Sequence, residues 1–118
     1  MRKVIIMLLC LFTMYSFKNN VITGKVSYYG ENHHGRKTVS GEIFNMYKYT
    51  AAHKYLKFGT MIKVTSLETD KSVIVRINDR GPYTKGRDLD LSKSAFFEIA
   101  PKKYGGSIGV KIEIIKKE

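Results

Sequence analysis

The sequence has a single cysteine, two prolines and no tryptophan among its 118 residues. One cysteine cannot form a disulfide framework within the chain, nor a thiolate zinc site. Two prolines and ten glycines exclude collagen-like and proline-rich chains. Acidic residues are also scarce, since ten of them stand against 21 lysines and arginines and leave a net charge of +11. A surface of this charge favours a polyanionic partner, such as nucleic acid, anionic lipid or an acidic polysaccharide.

Residues 1–17 have the pattern of an export signal. Arg2 and Lys3 precede an apolar run at 4–12 that is well short of the ~20 residues a membrane-spanning helix needs. We therefore predict a signal peptide at 1–17 and an exported protein, periplasmic or associated with the cell wall. Leu9 stands before Cys10 where lipidation requires a small residue, which disfavours a lipoprotein anchor. Any membrane association is expected only through this N-terminal segment.

The remaining chain has the size of one small domain. Removing residues 1–20 takes away three basic residues and no acid, which leaves 18 basic against 10 acidic residues and a net charge of +8. About 98 residues are enough for one core and no more. We predict a single domain over 22–116 and expect it to act as a monomer.

Hydrophobic alternation predicts a mainly β chain. Runs rich in β-branched and aromatic residues predict strands at 21–29, 47–53, 61–67, 72–78, 87–91 and 107–116. The tight polar segment 68–71 predicts a hairpin between the third and fourth strands. Ser92 is a plausible N-cap for a helix at 93–100, which Pro101 ends. Six short strands and one helix favour a small closed barrel, which leaves no strand edge exposed.

Three titratable residues stand out by their context. Asp79 lies where an apolar strand gives way to a loop, a place where catalytic groups are often mounted, although a carboxylate there can equally cap the turn or pair with Arg80. His53 titrates near neutral pH and can serve a site, or it can be a satisfied structural histidine. Glu42 can raise the pKa of a second carboxyl nearby, or it can be an ordinary surface residue.

The remaining polar and aromatic residues leave several functions open. The pair His33 and His34 lacks a third ligand at useful spacing, so no metal site is predicted, and no cofactor motif is present. Tyrosines around the suspected site suit sugar rings, and suit a small core equally well. Basic residues interleaved with tyrosine also fit single-stranded nucleic acid. An export signal argues against nucleic acid as the partner.

Six motifs in order resemble one known family. They are Gly24-Lys-Val-Ser-Tyr-Tyr-Gly30, His34-Gly-Arg-Lys-Thr-Val-Ser-Gly-Glu-Ile-Phe-Asn45, Ala51-Ala-His53, Phe58-Gly-Thr60, Val73-Ile-Val-Arg-Ile-Asn-Asp-Arg-Gly-Pro82 and Asp88-Leu-Asp-Leu-Ser92. Together, over about 22–115, they resemble the rare lipoprotein A proteins, which are bacterial endolytic peptidoglycan transglycosylases. One departure is that Lys57 follows Leu56 after the Ala-Ala-His motif, where the family usually has a proline.

The resemblance implies both a fold and a chemistry. The fold is a six-stranded double-psi β-barrel. The reaction is cleavage of the bond between N-acetylmuramic acid and N-acetylglucosamine, with formation of a 1,6-anhydromuramic acid end. Asp79 is implied to be the general acid and base, supported by His53 and Glu42. Peptidoglycan glycan strands are the expected partner, with no cofactor, and the expected substrate-binding side chains are Tyr29, Ser40, Arg80 and Tyr83.

Two further expectations follow from this reading. If Asp79 is the acid, Glu42 and burial would keep it protonated, whereas an inward-pointing Arg80 would oppose this. The same barrel superfamily includes expansin-like members that loosen glycans without cleaving them. A non-catalytic wall-binding module is therefore the alternative function.

Overall fold

The computed structural model describes residues 21–116. The signal peptide predicted at 1–17, and with it the question of lipidation at Cys10, lies outside this range. No helix within the described range is long and apolar enough to cross a membrane.

Within residues 21–116 the chain forms six strands, one α-helix and one short 3₁₀ turn at Glu31–His33. The strands are β1 (Val21–Tyr28), β2 (Thr50–His53), β3 (Met61–Ser66), β4 (Ser72–Asp79), β5 (Leu89–Leu91) and β6 (Ile108–Lys116), and helix α1 spans Lys93–Ile99. All six predicted strands and the predicted helix are confirmed. The strand predicted at 47–53 begins only at Thr50, because a turn closed by the hydrogen bond from the Lys48 N–H to the Asn45 carbonyl precedes it at 3.1 Å.

The strands close into one barrel in the order β1-β5-β2-β4-β3-β6. The pairs β1–β5 and β2–β4 are parallel, and the other four are antiparallel. The predicted hairpin joins β3 to β4, and its turn includes Asp70 at a φ of 64°. The first and last strands pair along six positions, from Val21 opposite Glu113 to Val26 opposite Ile108. The predicted mainly β, six-stranded barrel with one short helix is confirmed.

The core lies inside the barrel and beneath α1. Alternate residues of the strands point inward, and the helix adds three apolar side chains to the same cluster. Ser92 occupies the N-cap position as predicted, but its hydroxyl accepts a hydrogen bond from the Thr50 N–H at 3.4 Å, so it ties the helix start to β2. The most deeply buried side chains include Val26, Ile62, Val64, Val75, Ile77, Leu89, Leu91, Phe96, Ile99, Val110 and Ile112.

On the face opposite the core, four neighbouring strands carry three polar residues and one alanine side by side. In register, Ser27 of β1 lies beside Asp90 of β5, Asp90 beside Ala52 of β2, and Ala52 beside Asp79 of β4. A bulge between Ala51 and Ala52 shifts the pairing by one residue, so that Asp79 rather than Asn78 lies opposite Ala52. Bulges commonly redirect a side chain in this way next to a functional site. This outward row, formed by Ser27, Asp90, Ala52 and Asp79, positions the candidate site.

Candidate active site

Asp79 receives three hydrogen bonds at the end of β4. The Tyr29 hydroxyl donates to Oδ2 at 2.7 Å, and the backbone N–H groups of Val39 and Arg80 both donate to Oδ1 at 2.9 Å. The donors come from the end of β1, from the loop before β2 and from the residue after β4. These contacts hold the half-buried carboxyl group in one orientation at the barrel surface.

Tyr29 is the side-chain donor among these three, and the other two are backbone N–H groups. Its ring packs edge-on against Phe44 with 4.8 Å between centroids, and lies 5.2 Å from the His33 ring. Burial, followed by the hydrogen bond to Asp79 and the negative charges of Asp79 and Asp90, raises the pKa of the Tyr29 hydroxyl well above its usual range. The hydroxyl therefore keeps its proton and remains a donor. Tyr29 was expected to bind substrate, and in the structure its hydroxyl group is occupied by Asp79.

The Arg80 side chain points to the loop after β2. Its Nη1 donates to the carbonyl oxygens of His53 at 3.2 Å and Leu56 at 2.7 Å, and its Cζ lies 4.0 Å from the centre of the Phe58 ring. The next residue, Gly81, has a φ of 121°, a conformation that side chains other than glycine rarely adopt. The guanidinium thus anchors the 53–58 loop, and Asp79 is bound by the Arg80 backbone instead.

His53 lies at the end of β2, one residue beyond Ala52, which pairs with Asp79. The ring is buried, and its Nδ1 accepts hydrogen bonds from the N–H groups of Tyr55 at 3.2 Å and Leu56 at 3.1 Å. Burial, and then the positive charge of Arg80, lower the pKa of His53, while Asp88 acts in the opposite direction. The imidazole is therefore neutral at neutral pH with its proton on Nε2, which can act as a donor.

Glu42 is held by the strand that carries Asp79. The two terminal guanidinium nitrogens of Arg76, Nη1 and Nη2, donate to its carboxylate, and Asn78 Nδ2 donates to Oε1 at 3.3 Å. The hydrogen bonds from Arg76 lower the pKa of Glu42, so this carboxylate is ionised at neutral pH. We expected Glu42 to help keep Asp79 protonated. Its hydrogen bonds are instead with Arg76 and Asn78, which join the loop to β4.

The loop between Thr38 and Glu42 is held in one shape by hydrogen bonds within the loop itself. The Thr38 N–H donates to the Glu42 carbonyl at 2.7 Å, and the Thr38 hydroxyl donates to the same oxygen at 2.9 Å. Ser40 Oγ lies 2.8 Å from Thr38 Oγ1 and accepts the Glu42 N–H at 3.3 Å. Ser40, expected to bind substrate, therefore stiffens the loop that presents the Val39 N–H to Asp79.

Two concave regions lie near these residues. A recess of about 30 Å³ opens beside Asp79, which is about the room that a single water molecule occupies. The recess is lined by Tyr29, His33, Arg36, Lys37, Thr38, Phe44 and Asp79. A wider groove of about 390 Å³ lies between the segment at 46–47 and helix α1, and its lining includes Tyr47 and Phe97. Asp79, His53 and Glu42 do not line this groove. Tyr83, also expected to bind substrate, is highly exposed on the loop after Gly81.

Sequence reasoning missed several residues of this arrangement. Val39 and Arg76 lie within two of the recognised motifs, and His33 was considered only as a metal ligand. Nothing in the sequence marks Val39 as a partner of Asp79, His33 as a neighbour of Tyr29, or Arg76 as a partner of Glu42. Asp90 had a signal, because alternation in the strand at 87–91 places it on the polar face. Across residues 21–116, no group of three or more histidine, cysteine, aspartate or glutamate side chains is arranged to hold a metal ion.

A family model described as lytic transglycolase matches residues 21–112 of the chain, which is nearly the whole described barrel. The chain belongs to this family. The resemblance recognised in the sequence is thus confirmed.

Individual relatives of this lytic transglycolase domain are close. It is 58% identical over 72 residues to a probable endolytic peptidoglycan transglycosylase RlpA of Treponema pallidum, covering 61% of this chain and 23% of that protein. It is 46% identical over 93 residues to the endolytic peptidoglycan transglycosylase RlpA of Vibrio cholerae, covering 79% of this chain and 35% of that protein. The chain thus spans about a quarter to a third of the length of these relatives.

Solved structures support the fold of the lytic transglycolase domain. The crystal structure of a Clavibacter michiganensis expansin superposes with a TM-score of 0.64 at 17% identity, covering 81% of this chain and 50% of that chain. At this identity the likeness bears on the fold alone. The double-psi β-barrel predicted from the motifs is confirmed.

Proposed function

We propose that this chain is an endolytic peptidoglycan transglycosylase that cleaves between N-acetylmuramic acid and N-acetylglucosamine and leaves a 1,6-anhydromuramic acid end. The observation that carries the proposal is Asp79, a carboxyl group fixed by three donors at an open barrel surface in a chain of the lytic transglycolase family. The names of the relatives from Treponema pallidum and Vibrio cholerae support the same substrate and reaction class.

One carboxyl group is sufficient for this chemistry. Asp79 donates a proton to the leaving glycosidic oxygen as positive charge develops at C1 of the muramic acid ring. The 6-hydroxyl of the same sugar attacks C1, and its proton passes to the Asp79 carboxylate, which restores the starting state. Water takes no part, so no second carboxylate is needed to activate it. The internal nucleophile gains from proximity, and the fixed carboxyl orientation serves both proton transfers.

His53 and Glu42 have supporting roles in this proposal. The neutral His53 ring offers its Nε2–H as a donor to the substrate, since Nδ1 is already bound to the Tyr55 and Leu56 N–H groups. Glu42 acts through the Arg76 contact that fixes the loop carrying Val39. A loss of either residue is therefore expected to weaken cleavage through positioning.

The charge of the chain fits the proposed substrate. Lactyl groups and stem peptides give peptidoglycan many carboxylates, and the chain beyond residue 20 carries a net charge of +8. Arg36 and Lys37 place two of these positive charges at the recess beside Asp79. Salt screens this attraction, which at physiological ionic strength extends over a Debye length of only about 8 Å.

The product distinguishes the proposed reaction from its alternatives. Purified protein incubated with isolated sacculi is expected to release soluble fragments that end in 1,6-anhydromuramic acid, as identified by mass spectrometry. Fragments with reducing ends in their place would mean hydrolysis by an activated water molecule. The proposed reaction would then be wrong even though the glycan is cut.

A non-catalytic, expansin-like wall-binding module is the second candidate. The structural likeness to the Clavibacter michiganensis expansin favours it, because the same barrel shape serves that protein. This alternative predicts that the chain sediments with sacculi while no soluble fragment appears. Release of fragments by folded protein excludes it.

Replacing Tyr29 by phenylalanine tests the support of Asp79. The Tyr29→Phe variant keeps the ring against Phe44 and removes only the hydroxyl donor, so it is expected to fold normally. Cleavage of sacculi is expected to fall about three- to tenfold, because the hydrogen bond that orients the Asp79 carboxyl group contributes about 0.5–1.5 kcal/mol. The measurements are fragment release and the melting temperature.

Tyr49→Phe is the matched control for this experiment. It also removes a hydroxyl that donates to a carboxylate, at 2.9 Å to Glu98, but outside the site. It is expected to cleave as fast as the unmodified chain. Equal rates for the two variants would show that the Tyr29 hydroxyl has no part in the reaction.

A further inference from the structure

The groove between the segment at 46–47 and helix α1 has no role in the scheme above. β1 and β5 are parallel, and β2 is antiparallel to β5, so the residues after β1, after β5 and before β2 all lie beyond the same end of these strands. These three segments line the groove through Glu31, Lys93 and Met46. The outward row runs across the strands, whereas the groove lies beyond their ends. The groove is therefore to one side of the row and not in line with it.

A short branch is enough to reach the groove from the row. Lys93 follows Asp90 of the row by three residues, which span at most about 11 Å when fully extended. The 3₁₀ turn Glu31–His33 separates the groove from the recess beside Asp79, because its first residue lines the groove and its last residue lines the recess. A glycan that crosses the barrel along the row passes the groove on one side. This leaves the groove to a substituent that branches from the glycan.

Hydrogen bonds hold the two walls of the groove together. The Ser94 N–H donates to the Met46 carbonyl at 3.1 Å, and the Ser94 hydroxyl donates to the Lys48 carbonyl at 3.3 Å. The Met46 N–H donates to His34 Nδ1 at 3.1 Å, and the His34 ring packs edge-on against Tyr47 with 5.6 Å between centroids. The groove is thus preformed, and its volume of about 390 Å³ is typical of ligand sites in proteins.

The lining combines exposed apolar surface with one pair of charges. Tyr47 is 70% exposed and Phe97 is 46% exposed, and both border the groove together with Met46. Neighbouring apolar side chains that are left in water mark binding surfaces. At the rim, Lys93 forms a partly exposed ion pair with Glu31. Such a pair contributes little to stability, so Lys93 can exchange Glu31 for a carboxylate of a ligand.

We infer that this groove binds the stem peptide of peptidoglycan and makes the chain selective for peptide-bearing glycan. The inference rests on the proposed function for its substrate. A stem peptide branches from the lactyl group of muramic acid, and it carries alanine methyl groups and free carboxylates. The methyl groups pack against Tyr47 and Phe97, and a carboxylate replaces Glu31 as the partner of Lys93. The net charge of +8 beyond residue 20 attracts the same anionic branch.

Small soluble probes test the groove apart from cleavage. The probes are muramyl dipeptide, which is N-acetylmuramic acid bearing L-alanine and D-isoglutamine, and N-acetylmuramic acid alone. In NMR titrations of the ¹⁵N-labelled chain, the dipeptide is expected to shift the amide signals of Tyr47, Ser94 and Phe97, while the sugar alone leaves them in place. Equal shifts with both probes would mean that the groove binds the glycan, and would overturn the inference.

Tyr47→Ala removes the most exposed apolar side chain of the groove. The variant is expected to bind muramyl dipeptide about tenfold more weakly, because large aromatic side chains dominate binding surfaces of this kind. The melting temperature is expected to stay unchanged, since the ring lies mostly in water. The matched control is Ile74→Ala, which shortens an exposed apolar side chain of β4 outside this groove and is expected to bind as the parent does.

Lys93→Gln tests the charge at the rim. It removes the cation that receives the peptide carboxylate, so muramyl dipeptide is expected to bind about two- to fivefold more weakly. Lys111→Gln is the matched control, because Lys111 forms a comparable exposed ion pair with Glu113 on β6, at 3.5 Å. It is expected to leave binding unchanged. Binding by Tyr47→Ala and Lys93→Gln that equals the parent's would exclude the groove as the peptide site.

Cleavage of two wall preparations separates this inference from the proposed reaction. Sacculi are used intact, or after an amidase has removed their stem peptides. The parent is expected to release fragments about fivefold faster from intact sacculi, because binding of a remote part of the substrate can raise kcat. Tyr47→Ala is expected to lose this preference and to cleave peptide-free glycan as the parent does.

The two proposals fail in different ways. Equal cleavage of both preparations by the parent, or groove signals that the dipeptide does not move, would contradict the peptide site and leave the proposed reaction intact. Dipeptide binding in the groove without any anhydro product from either preparation would contradict the reaction and leave the peptide site intact.

Discussion

Asp79→Asn is expected to lower the release of 1,6-anhydromuropeptides from sacculi by about two orders of magnitude or more. The amide retains the shape of the carboxyl group and can still accept the hydrogen bonds of Tyr29 or Val39 at its oxygen. It cannot give and take a proton, which is the one property that the proposed reaction requires. Folding is therefore expected to survive while the chemistry is lost, and the measurement is fragment release by purified variants of confirmed melting temperature.

The control for Asp79→Asn is the same substitution at Asp70, in the β3–β4 turn. It changes the net charge equally and is expected to leave fragment release unchanged. If Asp79→Asn cleaves as well as the parent, the carboxyl group only caps the turn before Arg80. That outcome would remove the central assumption of the proposed mechanism.

Val75→Asp is expected to have the largest effect on stability. Val75 is completely buried in β4, opposite Ile62 of β3, and the barrel interior offers only apolar neighbours in its cluster. A carboxylate there loses its hydration without gaining a partner, which costs about 3–5 kcal/mol of unfolding free energy and exceeds most single substitutions. Denaturant unfolding followed by circular dichroism measures the loss.

The neighbouring residue supplies the control for this prediction. Ile74 is 47% exposed on the outside of the same strand, so Ile74→Asp places an identical side chain in water. It is expected to change the unfolding free energy by well under half of the Val75→Asp effect. Similar losses for both variants would show that the strand, rather than the inward position, is sensitive to the charge.

The strands were predictable because one face of each strand packs in the barrel core and the other face lies outside it. In β4, inward Val73, Val75 and Ile77 alternate with more exposed neighbours, and a period of two is visible in the sequence itself. The start of β2 was not predictable. The Asn45 side chain stabilises a turn at 45–48 by accepting a hydrogen bond from the Tyr47 N–H at 2.9 Å. The alternation of polar and apolar residues does not reveal this contact.

The candidate site was predictable only in part, for a similar reason. Asp79 and His53 stand at strand ends and in motifs, so their place in the chain marks them. The partners that hold Asp79 come from distant segments, and one is the backbone of Val39, which any residue type could supply. Arg80 gave the wrong hint, since its charge next to Asp79 suggests a pair and its side chain in fact binds the carbonyls of His53 and Leu56.

The pairing of β1 with β6 has a consequence for when the barrel can form. β1 pairs with β5 on one side and with β6 on the other, so this strand has no partner strand until residues 89–91 are present, and its second partner lies near the other end of the described chain. Contacts this distant in sequence form slowly, because a long loop has to close before any of them is made. During synthesis β1 thus has no partner strand until β5 and β6 have been made. The barrel can therefore close only after almost the whole of the described chain has been made.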